Sequence, residues 1–287
     1  MDKVVIGGQA VIEGVMMRCK DLYAVAVRAP SGEIEIEKRE AVSLRDRYKF
    51  FDFPFVRGAV SLFESLIIGI KALNFSAQAA GEEEEKLTDR DLAITLVVAF
   101  IIAGALFVGL PTYAAHFASV YTEDSFWLNT VEGAVRLFLF LAYIAAISAL
   151  KDIRRVFMYH GAEHKTIFCF ENNLPLTVEN VRPQKRFHPR CGTSFLFLVV
   201  IISTVIFAFT GWPDLVTRIL SRLALLPVIA GVSYEILKLT ARYQNGFTSA
   251  LAAPGLWLQY LTTREPTDDM IEVAIASVQA VLPPDEG

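Results

Sequence analysis

The sequence predicts a mainly α, polytopic helical membrane protein: about four transmembrane helices plus interfacial helices, with a small N-terminal β-containing cytoplasmic part. Three observations predict it. Hydrophobic residues make up 54% of the 287 residues and charged ones only 20%, a balance too apolar for an ordinary soluble enzyme. Several apolar runs approach the roughly 20 residues that a bilayer requires. Lys and Arg are shared unevenly among the segments joining those runs, as in chains oriented by the positive-inside rule.

Residues 1–53 read as the β-containing region. Tyr23 to Ala29 and Glu33 to Lys38 are strand-like and are separated by Pro30-Ser31-Gly32, a turn signal. The second alternates strictly, so one of its faces is solvated. Ahead of them Val4 to Arg18 is apolar but broken by Gly7, Gly8 and Gly14. These glycines permit turns or close backbone approach, and no Lys-Ser/Thr follows to make a phosphate loop. No cleavable signal peptide is expected before this region.

Residues 54–91 are expected to hold an interfacial amphipathic helix and an acidic connector. Arg57, Glu64 and Lys71 recur every seven residues from 55 to 80, keeping charge on one stripe among Leu62, Phe63, Leu66, Ile67 and Ile70. Glu82 to Glu85 form the connector, and Thr88-Asp-Arg-Asp91 resembles a capping box.

Residues 92–250 carry the expected spans: Leu92 to Pro111, Val135 to Leu150, Ser194 to Trp212 and Ile219 to Leu237. Core helices of a soluble fold are the alternative, but uncharged runs of this length are rare there. Residues 251–287 complete the chain. Leu251 to Leu261 is apolar but short and contains Pro254-Gly255, so it lies at the interface or re-enters. Ile271, Ile275, Val278 and Leu282 then recur at helical spacing and predict a last amphipathic helix.

Orientation follows from charge. Thr112 to Thr130 contains no Lys or Arg, whereas the segment at 151–193 contains eight. That segment and both termini are therefore expected on the cytoplasmic side of the cell's inner (plasma) membrane. There Cys169 and Cys191 need not pair, because the compartment is reducing. A net charge of −4 argues against nucleic acid as a partner. The expected partners are the lipid bilayer and other membrane proteins.

Chemistry concentrates in the 151–193 segment. His160-Gly-Ala-Glu-His164 puts two imidazoles at i and i+4, where one helix face can offer both to a metal. His-x-x-Glu-His is also the inverted zincin pattern, in which the carboxylate, here Glu163, is the base that activates water. His188-Pro-Arg-Cys191 adds two ligand types at turn spacing, so His160, His164, His188 and Cys191 form the expected metal set. The cofactor is a divalent metal, zinc by ligand type. Four protein ligands would close the shell, as in a structural site, whereas a catalytic ion keeps one position open. Polar residues ending a helix at the membrane face are the plainer alternative. Cys169 reads as a small buried apolar residue. Two further carboxylates are candidate catalytic groups. Glu235 lies within the last span, where a carboxylate marks a functional hypothesis, though Lys238 at i+3 could pair with it. Glu13 either pairs with Arg18 or reaches the histidines.

Ile6 to Arg18, Tyr159 to Lys165, Phe187 to Ser194, Ser233-Tyr-Glu235 and Thr263 to Ile275 together resemble the YqhQ-like family of bacterial multi-pass membrane proteins. The resemblance covers nearly the whole chain. It implies a domain of unknown function, labelled a predicted metal-dependent enzyme. Two functions are therefore expected to compete. One is a metal-dependent hydrolase acting on a membrane-associated peptide or lipid. The other is a non-enzymatic membrane scaffold or assembly factor whose metal is structural and whose basic loop favours anionic headgroups. A transporter ranks below both, since the first and third spans carry no charge for an ion path.

Overall fold

The computed structural model describes residues 5–81, 89–243 and 245–283. The acidic run Glu82 to Glu85 and the capping residue Thr88 lie outside them. Residues 6–40 form one antiparallel meander of four strands: β1 Ile6–Val11, β2 Gly14–Cys19, β3 Leu22–Arg28 and β4 Ile34–Glu40. The glycine-punctuated stretch thus supplies two strands beyond the pair the alternation predicts. Val11 pairs with Gly14, so Ile12-Glu13 is a two-residue turn, and Glu13 takes φ +50° to close it. Gly14 is needed for packing, since a Cβ there would lie 2.3 Å from the Ala26 carbonyl oxygen.

Because side chains alternate across a strand, the sheet buries two sets. Val15, Met17, Ala24 and Ala26 face one core, whereas Met16, Tyr23, Val25 and Val27 face another. Helix α1 (Leu44–Arg47) and a 3-10 turn lead to α2 (Val56–Ala80), which covers the second set with Ile68 and Ala72.

The next helices are apolar, and much of their surface is exposed. The helix α3 (Asp89–Gly104), a π turn (Ala105–Gly109) and α4 (Leu110–Ala118) form one continuous rod. The first expected span stops at Pro111, but the rod runs on to Ala118. Proline removes the donor for the carbonyl four residues back, and that carbonyl, of Phe107, accepts instead from Arg136 Nε at 3.0 Å. The helix α5 spans Ser125–Ile147. It starts ten residues before the expected Val135, so Glu132 and Arg136 lie inside it.

After a short break, α6 (Lys151–Glu171) and α7 (Val178–Val181) fill much of the segment read as a loop. They are followed by α8 (Gly192–Ala208), α9 (Leu215–Arg242), α10 (Gly246–Thr262) and α11 (Asp268–Val281). The last helix forms as its periodicity predicts and buries Ile271, Ile275 and Val278, with Leu282 just past its end, against α6 and the first face of the sheet. Among the described residues, three helices are long and apolar enough to cross a membrane: 93–118, 125–147 and 215–240. The expected third span is shorter, since α8 has 17 residues, or about 25 Å at 1.5 Å per residue.

Candidate metal centre

The centre is built on α6, which is held between β1, β2 and α11. Tyr159 through Ile167 are all buried, so polar residues here must find partners within the protein. Gly161 sets one boundary. A Cβ on it would lie 2.0 Å from the Arg264 carbonyl oxygen, so only glycine lets residues 262–265 pass this close over α6. That passage brings the Thr262 carbonyl to His160, whose Nδ1 lies 2.7 Å from it. The Nδ1 of His164 meets the Arg186 carbonyl oxygen in the same way. A carbonyl accepts only, so each Nδ1 carries its proton and donates it. Each Nε2 is thereby left with a lone pair to offer a metal, the arrangement that fixes imidazole ligands in metal sites.

Cys191 arrives from the start of α8. Its Sγ accepts from the Thr193 backbone N–H at 3.4 Å and stands 3.2 Å from His160 Nε2. One ligand atom from each of His160, His164 and Cys191 lies within 4.8 Å of the others. Tetrahedral metal–N and metal–S bonds of about 2.0–2.3 Å separate ligand atoms by roughly 3.5 Å, so these three donors are close enough to be able to hold one metal ion. Burial pushes the His164 imidazole below its ordinary pKa, which favours the neutral form that binds metal.

Glu163 faces the same space. Its Oε2 is 3.7 Å from His160 Nε2 and 4.0 Å from His164 Nε2. Burial pushes its carboxyl above the usual carboxylate range, with His160 and His188 opposing the shift. The β1 strand makes room for it, because a Cβ on Gly8 would lie 2.8 Å from Glu163 Oε1.

The other expected residues turn to different partners. His188 is adjacent, its ring 5.7 Å from that of His164, but its Nε2 faces Glu171 Oε2 at 3.4 Å and its Nδ1 accepts the Arg190 N–H. Glu13 binds Arg155 and the Tyr159 hydroxyl. It does not meet Arg18, because Glu13 sits at the hairpin tip and Arg18 at the far end of β2, some 3.3 Å per residue away; Arg18 turns to Glu64 instead. Glu235 forms a two-bond pair with Arg57, both bonds 2.6 Å, and not with Lys238. Neither carboxylate joins the donor group.

Gln259 was not singled out by the sequence. Fully buried, it accepts the His188 N–H at 2.8 Å and donates to the His188 carbonyl at 2.8 Å and to Ser194 Oγ at 3.0 Å. Its one signal is being the lone amide in the apolar run Leu251 to Leu261. Lys165, also buried, ties the Arg182 carbonyl to Glu265, and so closes the two loops over the site.

The family model described as "Protein of unknown function (DUF1385)" matches residues 53–284. The chain belongs to this family. It is 39% identical over 295 aligned residues to the uncharacterized protein YqhQ of Bacillus subtilis (strain 168), a match covering 96% of this chain and 92% of that protein. No solved structure matches the chain. In this DUF1385 member the family model takes in all of α6 and the Cys191 turn, while the sheet precedes its first matched residue.

Proposed function

We propose that His160, His164 and Cys191 hold a divalent metal of zinc type, and that this protein is a metal-dependent hydrolase of a membrane-associated peptide or lipid. One observation carries the reading: three donor atoms within 4.8 Å of one another, with the Glu163 carboxylate 3.7 and 4.0 Å from the two imidazole nitrogens. Three protein ligands leave a fourth position, as catalytic sites do. An ion there supplies Lewis acidity toward water and a substrate carbonyl or phosphoryl group. Glu163 takes the proton released as water attacks and passes it to the leaving group. Thr262 and Arg186 hold the imidazoles in one tautomer throughout.

In the same proposal the three long apolar helices cross the plasma membrane and α8 makes a fourth, shorter crossing. The eight basic residues at 151–193 support a cytoplasmic position for the metal centre and both termini. The bilayer and neighbouring membrane proteins are then the natural partners.

A second reading has its own support. His160, Glu163, His164 and Cys191 are only 9, 4, 1 and 5% exposed, which suits a structural metal holding a scaffold together. Glu163→Gln separates the two. In the hydrolase it keeps the metal and loses about 10²–10⁴-fold of activity, so complementation fails. In the scaffold it complements fully, while His160→Ala and Cys191→Ala lose metal and thermal stability. Metal content, melting temperature and complementation of the three variants decide between them.

A further inference from the structure

A second polar cluster lies between α5 and α9, on residues the proposed metal chemistry does not use. Glu132 is 1% exposed and binds Arg136 of its own helix at 2.6 Å. Across the helix pair it also binds Arg222, whose Nη2 reaches Asn129 Oδ1 at 2.9 Å. One turn earlier on the same face of α9 stands Arg218, its guanidinium carbon 3.9 Å from the centre of the Trp212 ring. Two guanidiniums thus bind one buried carboxylate while a third, Arg218, stands one turn away, an excess of two positive charges. Asp214, a turn further out, is exposed and uses its carboxylate to cap α9 through Val216 and Thr217.

Charge excess alone would not make a site. Arg218 adds a second observation: it is 8% exposed, and its Nε and Nη1 are buried without any hydrogen-bond partner. Arg222, equally buried, has a partnerless Nε as well. Buried guanidinium N–H groups are costly to leave unpaired. An arginine that packs on an aromatic face and still holds free donors is suited to a planar or tetrahedral oxyanion. Three free donors and two surplus charges exceed what one carboxylate satisfies, and they suit a phosphate group.

We infer that Arg218 and Arg222 bind a phosphate group at the Asp214 end of α9. The group is carried either by an anionic lipid headgroup or by free phosphate. This site lies apart from the His–Cys cluster and stands whether or not that cluster is catalytic.

The test uses the full chain in nanodiscs of phosphatidylglycerol or of phosphatidylcholine, each with and without inorganic phosphate. Melting temperature and retained lipid by native mass spectrometry are the readouts. The expected result is a higher melting temperature with phosphatidylglycerol or with inorganic phosphate than with phosphatidylcholine alone. Arg218→Gln should weaken the effective ligand roughly tenfold or more, as loss of a charge-assisted contact does. Arg218→Lys, which keeps charge and loses the planar donors, should weaken it less, and it serves if Arg218→Gln does not fold. The exposed Lys151→Gln controls for a general loss of charge. A response to inorganic phosphate alone assigns free phosphate, and a response to phosphatidylglycerol alone assigns the headgroup. No response to either overturns the inference, as does a response that Arg218→Gln and Arg218→Lys leave equal to that of Lys151→Gln.

Discussion

His160 Nε2 and Cys191 Sγ stand 3.2 Å apart although 31 residues separate them along the chain. Two pieces of backbone make this possible. The α6 helix is fixed by its burial between sheet and α11, and the start of α8 is fixed by Gln259, which grips both His188 and Ser194. Two ligands delivered by separately anchored elements form a preorganised pair, which spares a metal the cost of ordering them.

That relationship ranks the candidate ligands. His164→Ala should reduce bound zinc to background, whereas His188→Ala should keep most of it, because His188 Nε2 faces Glu171. Elemental analysis of the two purified variants checks this. Equal loss in both would bring His188 into the coordination shell.

Two glycines should behave differently. In Gly161→Ala the new methyl meets backbone, the Arg264 carbonyl, so the loop bearing Thr262 must move. A stability loss of about 1–3 kcal/mol is expected, together with weaker metal binding. In Gly8→Ala the methyl meets the ends of two flexible side chains, Met17 and Glu163. The fold and metal should persist while the carboxylate is displaced. Melting temperature and metal content should therefore both fall for Gly161→Ala and both hold for Gly8→Ala, with complementation reduced in each.

Glu132→Gln removes the carboxylate that Arg136 and Arg222 share. Breaking a buried pair by taking away one partner costs roughly 3–5 kcal/mol, because the remaining charge is left uncompensated. Detergent-phase thermal unfolding should show a large drop. A change no bigger than that of an exposed Glu272→Gln would mean that the arginines are hydrated.

Topology is open to direct labelling. A tag after Glu286 and one within residues 172–184 should both report from the cytoplasm, and one near Glu123 from outside. The basic residues at 151–193 set this expectation. An external signal from the 172–184 tag would move the metal centre to the other face of the membrane.

Periodicity and charge made several features legible in the sequence. The spacing of Ile271, Ile275, Val278 and Leu282 predicts α11, and Pro30-Ser31-Gly32 predicts the turn at Gly32, which has φ +88°. The i, i+4 histidines and the His-Pro-Arg-Cys turn pointed to the residues that cluster in the structure, because local geometry sets which side chains share a helix face. Helix ends were less legible. Pro111 and the pair Glu132 and Arg136 read as boundaries, since proline and charge ordinarily end an apolar helix.

Only the tertiary structure decided what those residues do. Glu132 and Arg136 remain inside α5 because Arg222, 90 residues from Glu132, neutralises the carboxylate, and Phe107 supplies a carbonyl that Pro111 had released. Glu13 and Glu235, equal candidates with Glu163 by residue type, are taken up by Arg155 and Arg57. Glu163 alone of the three is turned toward the imidazoles, through space that Gly8 leaves open. The sequence by itself determined which residues can bind a metal, since ligand chemistry belongs to the side chain. Which of them meet depends on pairings between distant segments, and those arise only when the packed chain satisfies each buried charge.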